Sequence, residues 1–258
     1  MQQKKAVEKP TLLLLPGWCN DRTAFDALLP ALRGRWRAET VEWRGHGASK
    51  KPTGDFGNTE LIADAAEIVR SLGDGAVVPL AMAQAGWIAV ELCRIFGERM
   101  PALVLVDWLM TDPPPFTQAV RDLQDPAAWK TAHERLAAAW LNGTTDGRVI
   151  DFARRQSAVF GFDMWSRSAR EIGAAYRQWG SPLEALRSLA SPPQVLHLRH
   201  GEEGDDDAAA QRAFAERHPW FRFRTLEGVR SHYPAIEAPW LVAEAIDDLF
   251  RLKPSEAR

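Results

Sequence analysis

Six short apolar runs punctuate this chain at intervals filled by helix-like segments. They are "TLLLL" (11 to 15), "AETVEW" (38 to 43), "AVVPLA" (76 to 81), "ALVLVDW" (102 to 108), "QVLHLR" (194 to 199) and "FRFRTL" (221 to 226). Runs this short, rich in Leu and Val, suit strands covered on both faces, and their alternation with helices predicts a mainly parallel sheet of about six strands. The segments between carry helix signals. "TAFDALLPALRG" ends in a Gly stop, "NTELIADAAEIVRSLG" opens on Asn58 as a cap and closes on Gly73, and "QAGWIAVELCRIFG" closes on Gly97.

From about 111 to 190 the strand pattern stops. "DPPPF" breaks the chain, and "TQAVRDL", "DPAAWKTAHERLAAAWL", "RVIDFARRQSAVF", "DMWSRSAREIGAAYRQW" and "PLEALRSLA" read as successive helices. The expected organisation is a core of 1–110 and 191–258 with a helical cap of 111–190 inserted after the fourth strand. Residues 1 to 8 and 253 to 258 read as solvated tails.

Composition excludes several functions. With 32 basic and 34 acidic residues the net charge is -2, so the concentrated basic surface that phosphate binding requires is missing and nucleic acid is not an expected partner. The apolar run after the charged N-terminus is too short for a secretion signal or a bilayer span, which makes the cytoplasm the default location. Two cysteines, Cys19 and Cys93, offer neither a disulfide framework nor a zinc site. Eleven Trp against two Tyr provide material for a flat aromatic pocket. No signal for an oligomeric state is present.

A parallel sheet places its site at the carboxyl ends of its strands. After the first run, "PGWCN" (16 to 20) is a turn whose backbone N–H groups can face an oxygen anion. In "WRGHGAS" (43 to 49), Gly45 and Gly47 suit a backbone bend and His46 reads as structural. The third run leads into "AMAQAG", a strand-to-helix bend with small residues at Ala81, Ala85 and Gly86, and with Ala83 at the tip where such bends carry a serine nucleophile. Asp107 ends the fourth run, where an acid needs a partner. His232 follows the last run, and an Asp–His pair makes a general base tuned near neutral pH. Glu202, Glu203 and Asp205 are competing acids after the fifth run, although their clustering suggests a solvated turn.

Strand, bend, cap, acid and histidine in this order resemble the α/β-hydrolase fold. The blocks "LPGWC", "WRGHG", "VDWLM", "MWSRSAR", "WGSP", "HPWF" and "SHYPAI", spread from Leu12 to Phe250, narrow the resemblance to the cofactor-independent dioxygenases that open the ring of 3-hydroxy-4(1H)-quinolones and release carbon monoxide. The resemblance implies His232 as base, Asp107 as its partner and the backbone N–H groups of Trp18 and Gln84 as the oxyanion site. It implies a small aromatic substrate and O2 as partners, with no metal or flavin cofactor. Trp108 and Trp165 are expected as pocket walls and Asn20 as a polar handle. By the family's pattern the chain also starts too late to carry the first one or two antiparallel strands.

This sequence departs from that pattern. The family has a serine at the bend tip flanked by histidines, and a histidine two residues after the oxyanion Trp. Here Met82, Ala83, Gln84 and Asn20 occupy those places. Either the tip lacks a hydroxyl because the enzyme never attacks its substrate, or a serine was replaced by Ala83. Base-driven oxygenation tolerates Ala83, whereas acyl transfer through a covalent ester does not. A hydrolase or C–C bond-cleaving enzyme on a related ring, and a binder without catalysis, are the competing readings.

Overall fold

The structure, a computed structural model, describes residues 9–49, 54–201 and 205–251. Its sheet contains β1 (Thr11–Leu15), β2 (Ala38–Thr40), β3 (Val77–Met82), β4 (Ala102–Val106), β5 (Gln194–Arg199) and β6 (Phe221–Thr225), in spatial order β2-β1-β3-β4-β5-β6. All five ladders between these strands are parallel. The order turns back between β1 and β3, so the chain leaves these neighbours in opposite directions and opens a crevice at their carboxyl ends.

Strand alternation sorts the core into two layers. Leu13, Leu15, Leu103 and Leu105 face α2 (Asn58–Ser71) and α3 (Ala85–Phe96) through Leu61, Val69, Ile88 and Leu92. Leu12, Leu14, Val104 and Val106 face α1 (Leu28–Leu32) and α11 (Pro239–Arg251) through Leu28, Leu32, Val242 and Ile246. The strand leucines are completely buried, each contributing ~1.5–3 kcal/mol. That is why unbroken apolar runs mark β1 and β4, whereas the edge strand β6 alternates.

Between β4 and β5 lie α4 (Pro114–Asp122), α5 (Trp129–Leu141), α6 (Gly147–Val159), α7 (Phe162–Trp179) and α8 (Pro182–Arg187). Val120, Leu123, Ala132, Phe160, Trp165 and Ile172 form a separate apolar cluster there, joined by Cys19 from the loop after β1. Among the described residues no helix is long and apolar enough to cross a membrane.

Several local expectations need correction. The helix expected over "TAFDALLPALRG" splits into a 3-10 turn, Arg22–Phe25, and α1, because Pro30 lacks the N–H that would continue the ladder and crowds the carbonyl four residues back. Asn58 is the first residue of α2 rather than its cap. Gly57 takes the cap position, and Glu171 from α7 accepts from the Asn58 N–H at 2.9 Å. A Cβ on Gly57 would lie 2.5 Å from that carboxylate, so a larger residue there would push the Glu171 side chain aside. α4 begins inside the proline run, whose first-turn positions need no N–H donor. β2 stops at Thr40, β4 stops before Asp107, and the extra helix α10 (Pro234–Glu237) stands between His232 and α11. The expected tails lie outside the described residues.

Candidate active site

The loop after β1 is a tight turn, with the Asn20 N–H donating to Gly17 O at 3.1 Å and Cys19 at φ +58°. A residue other than glycine in that conformation carries strain. Two anchors hold it. Trp43 Nε1 donates to Pro16 O at 2.7 Å, and the Cys19 N–H donates to His46 Nε2 at 3.1 Å. His46 is fully buried, and its Nδ1 lies 3.0 Å from Arg44 O. Burial pushes its pKa down to about 4, so the ring is neutral and acts as a brace. Gly17 is small because a Cβ would meet Asn20 Nδ2 at 3.1 Å and Met82 O at 3.4 Å. The first loop therefore lies against the end of β3.

At the end of β3 the chain bends at Ala83, φ +47°, whose N–H donates to Val106 O at 2.8 Å. Gln84 precedes α3, and its side chain accepts from Trp87 Nε1 at 3.0 Å. Neither the Trp18 nor the Gln84 N–H has a protein acceptor among the described residues, and the latter adds the positive end of α3 to the crevice. Gly86 makes room for Trp108, whose Cε3 would lie 2.2 Å from a Cβ there. The Trp18 indole stacks on Phe56 at 5.9 Å and donates to Asn58 Oδ1 at 3.3 Å. Asn58 thus holds a pocket residue instead of capping a helix.

Asp107 sits just past β4 at φ +52°, its N–H donating to Leu198 O at 2.7 Å. Its buried carboxylate receives His232 Nδ1–H on Oδ2. Oδ1 receives His200 Nδ1–H at 2.7 Å and the His200 N–H at 2.9 Å. Burial alone would raise this carboxyl, but the charge of His232 and the hydrogen bonds from both rings hold it well below the usual carboxylate range. Among the described residues Asp107, His200 and His232 are also the one His/Cys/Asp/Glu group compact enough to hold a metal ion. The hydrogen bonds just given account for their closeness.

The His232 loop is fastened on both sides. Its backbone N–H donates to Trp140 O at 2.7 Å, and its ring stacks on the Trp140 indole at 5.6 Å and 18°. Glu237 accepts from the Ser231 N–H at 2.8 Å, from Ser231 Oγ at 2.5 Å and from Thr144 Oγ1 at 3.1 Å. With Nδ1 engaged, His232 Nε2 has no protein partner among the described residues.

A cavity of about 370 Å³ brings these elements together, and Trp18, Asn20, Ala83, Gln84, Asp107, Trp108, Trp165 and His232 all line it. Asn20 turns its amide to Trp18 O at 3.3 Å. Of the competing acids, Glu202 and Glu203 lie outside the described residues, and Asp205 caps α9 (Asp206–Arg217) and pairs with Arg199. The described part of "EEGDDD", Asp205 to Asp207, is more than a solvated turn. Asp207 accepts from the Met110 N–H at 3.1 Å and Thr111 Oγ1 at 3.0 Å, tying α9 to the loop after β4. Two wall residues, His200 and Trp140, escaped the reading of the sequence. The rule that inspects residues following each strand reaches His200, whereas Trp140 sits inside an amphipathic helix and carries no local signal.

The sequence model of the alpha/beta hydrolase family matches residues 12–245, and the chain belongs to that family. Within it the chain stands with the 3-hydroxy-4-quinolone dioxygenases. It is similar to the 2-heptyl-3-hydroxy-4(1H)-quinolone dioxygenase of Mycobacteroides abscessus, with 43% identity over 92% of this chain and 89% of the relative. It is also similar to the 1H-3-hydroxy-4-oxoquinoline 2,4-dioxygenase of Pseudomonas putida, with 32% identity over 94% of this chain and 92% of the relative. A solved structure of AqdC, described as recognising and ring-cleaving the Pseudomonas quinolone signal and bound to its product, superposes with a TM-score of 0.88 at 40% identity, covering 95% of this chain and 93% of the other.

Proposed function

We propose that this protein is a cofactor-independent dioxygenase that cleaves the heterocyclic ring of a 3-hydroxy-4-quinolone-like substrate. One observation carries the reading: a histidine backed by a buried carboxylate opens on an aromatic-walled cavity whose bend tip is a methyl group. That set of groups serves proton removal and offers no oxygen for covalent attack at the bend. The names of the similar proteins supply the matching substrate class.

In this scheme His232 Nε2 takes the proton of the 3-hydroxyl, and Asp107 stabilises the imidazolium through Nδ1. The N–H groups of Trp18 and Gln84 hold the negative oxygen. The electron-rich anion passes an electron to dioxygen itself, so the chemistry requires neither metal nor flavin. The peroxide-bridged ring then collapses. Both oxygen atoms of O2 remain in an N-acylanthranilate-type product, and the carbon that bore the hydroxyl leaves as carbon monoxide. Trp108 and Trp165 serve as walls, Asn20 as a polar handle, and the helices of 111–190 as the cap that keeps water out. The site of action is the cytoplasm.

The test is turnover of 1H-3-hydroxy-4-oxoquinoline with and without oxygen. The proposal requires one CO released per O2 consumed and no reaction under anaerobic conditions. Anaerobic turnover at the aerobic rate would establish a hydrolase in its place.

A further inference from the structure

The scheme above gives no part to His200, which follows β5 directly. Its Nδ1 and its backbone N–H both donate to Asp107 Oδ1, at 2.7 and 2.9 Å, while Oδ2 receives His232. One carboxylate is thus gripped at both oxygens by two imidazoles from different loops. His200 also lines the cavity, with its side chain 24% exposed. A carboxylate held at one oxygen can rotate about its terminal torsion, which is broad and soft. Held at both it turns less freely, and of the two donors on Oδ1 the imidazole is the one a substitution can remove.

We infer that His200 is a positioning residue for the base: by occupying Oδ1 it leaves Oδ2 as the acceptor for His232 and fixes the tautomer and tilt of that ring. It acts through Asp107. The inference rests on His232 being the base. Charge adds a second consequence. Among the described residues the charged groups facing His200 are Asp107, Arg199 and Glu237. Burial disfavours the charged ring, but the hydrogen bond and charge of Asp107 outweigh it, Arg199 opposes and Glu237 assists, so its pKa is raised. A protonated His200 offsets the charge of Asp107 and weakens its support for a second imidazolium at His232. Activity therefore rises as His200 loses its proton.

Two variants separate donor from bulk. His200→Asn keeps a neutral N–H donor where Nδ1 stood, and His200→Phe keeps a ring without one. Each is checked for a thermal midpoint near that of the unaltered enzyme. kcat and KM are measured in air, and the apparent pKa of the hydroxyl of bound 1H-3-hydroxy-4-oxoquinoline is read from its absorbance under anaerobic conditions. His200→Phe is expected to lower kcat by about 10- to 100-fold with KM within about threefold, and to raise the hydroxyl's apparent pKa by about one to two units, the same factor expressed as an equilibrium. His200→Asn is expected to stay within about threefold of the unaltered kcat, and its acid limb of log(kcat/KM) loses one ionisation. Normal deprotonation in His200→Phe, equal impairment of the two variants, or an unchanged acid limb in His200→Asn overturns the inference. The last measurement decides the matter should the Phe variant not fold. His232→Ala in the same anaerobic titration keeps the two readings apart: if it deprotonates the ligand normally, the base assignment fails, and if it alone loses deprotonation, only the role of His200 falls.

Discussion

His232 Nδ1 donates to Asp107 Oδ2 across 125 residues of chain, joining the loop after β6 to the end of β4. The bond fixes which nitrogen of the imidazole faces the cavity. General base catalysis of this kind contributes about 10²- to 10⁴-fold. His232→Ala is accordingly expected to lower kcat by about that factor while quinolone binding, followed by fluorescence quenching, changes by less than about tenfold. An equal loss of both would make His232 a binding residue.

Ala83→Ser places a hydroxyl at the bend. Since no step of the proposed reaction forms a bond to residue 83, ring cleavage should stay within about tenfold of the unaltered rate. Mass spectrometry of the quenched enzyme should show no substrate adduct. A covalent adduct carried through turnover would replace the base-driven scheme with nucleophilic catalysis.

Glu237 binds the Ser231 N–H, Ser231 Oγ and Thr144 Oγ1, beside His232. Hydrogen bonds to a charged group contribute about 1.5–3 kcal/mol each, partly shared here. Glu237→Ala is expected to cost about 2–3 kcal/mol, read as a fall of about 5–10 °C in Tm, and to reduce kcat more than it changes KM. Loss of stability at unaltered kcat would show that the His232 loop keeps its geometry without this clamp.

Gly86→Ala would place a Cβ 2.2 Å from Trp108 Cε3. The ring is buried, so the contact is relieved only by moving Trp108 and its neighbour Asp107. A destabilisation of about 1–3 kcal/mol, measured by urea unfolding, should come with reduced kcat.

pH dependence of stability has a defined sign. His46 is lowered from 6.5 to about 4 by burial, so the unfolded chain binds this proton first and stability rises with pH through that window. About 3 kcal/mol should be lost as pH falls from 6.5 to about 4. Asp107 adds nothing to that loss. Its depressed carboxyl supplies stability above the ordinary carboxylate range that disappears only at lower pH. His200, being raised, contributes stability below its unfolded value that is lost as pH climbs through its folded one. Urea midpoints across pH 4 to 9 for the unaltered protein and His46→Gln should show the acid slope flattened in the variant.

The order of strands and helices was written in local patterns. Apolar runs such as "TLLLL" must be covered on both faces, and Gly73 and Gly97, at φ +77° and +50°, stop helices because a residue without Cβ adopts that backbone freely. Asp107 and His232 could be singled out because a buried acid requires a partner and because parallel sheets gather their functional residues at one edge. The tertiary structure alone decided which partners met. Asn58 turned to Trp18, Asp205 to Arg199, and His200 joined the carboxylate beside His232. Except for the local Asp205–Arg199 pair, six residues apart, these choices depend on packing between segments about 40 to 125 residues apart, where propensity and periodicity carry no information and only the closing of the sheet brings the groups within hydrogen-bonding range.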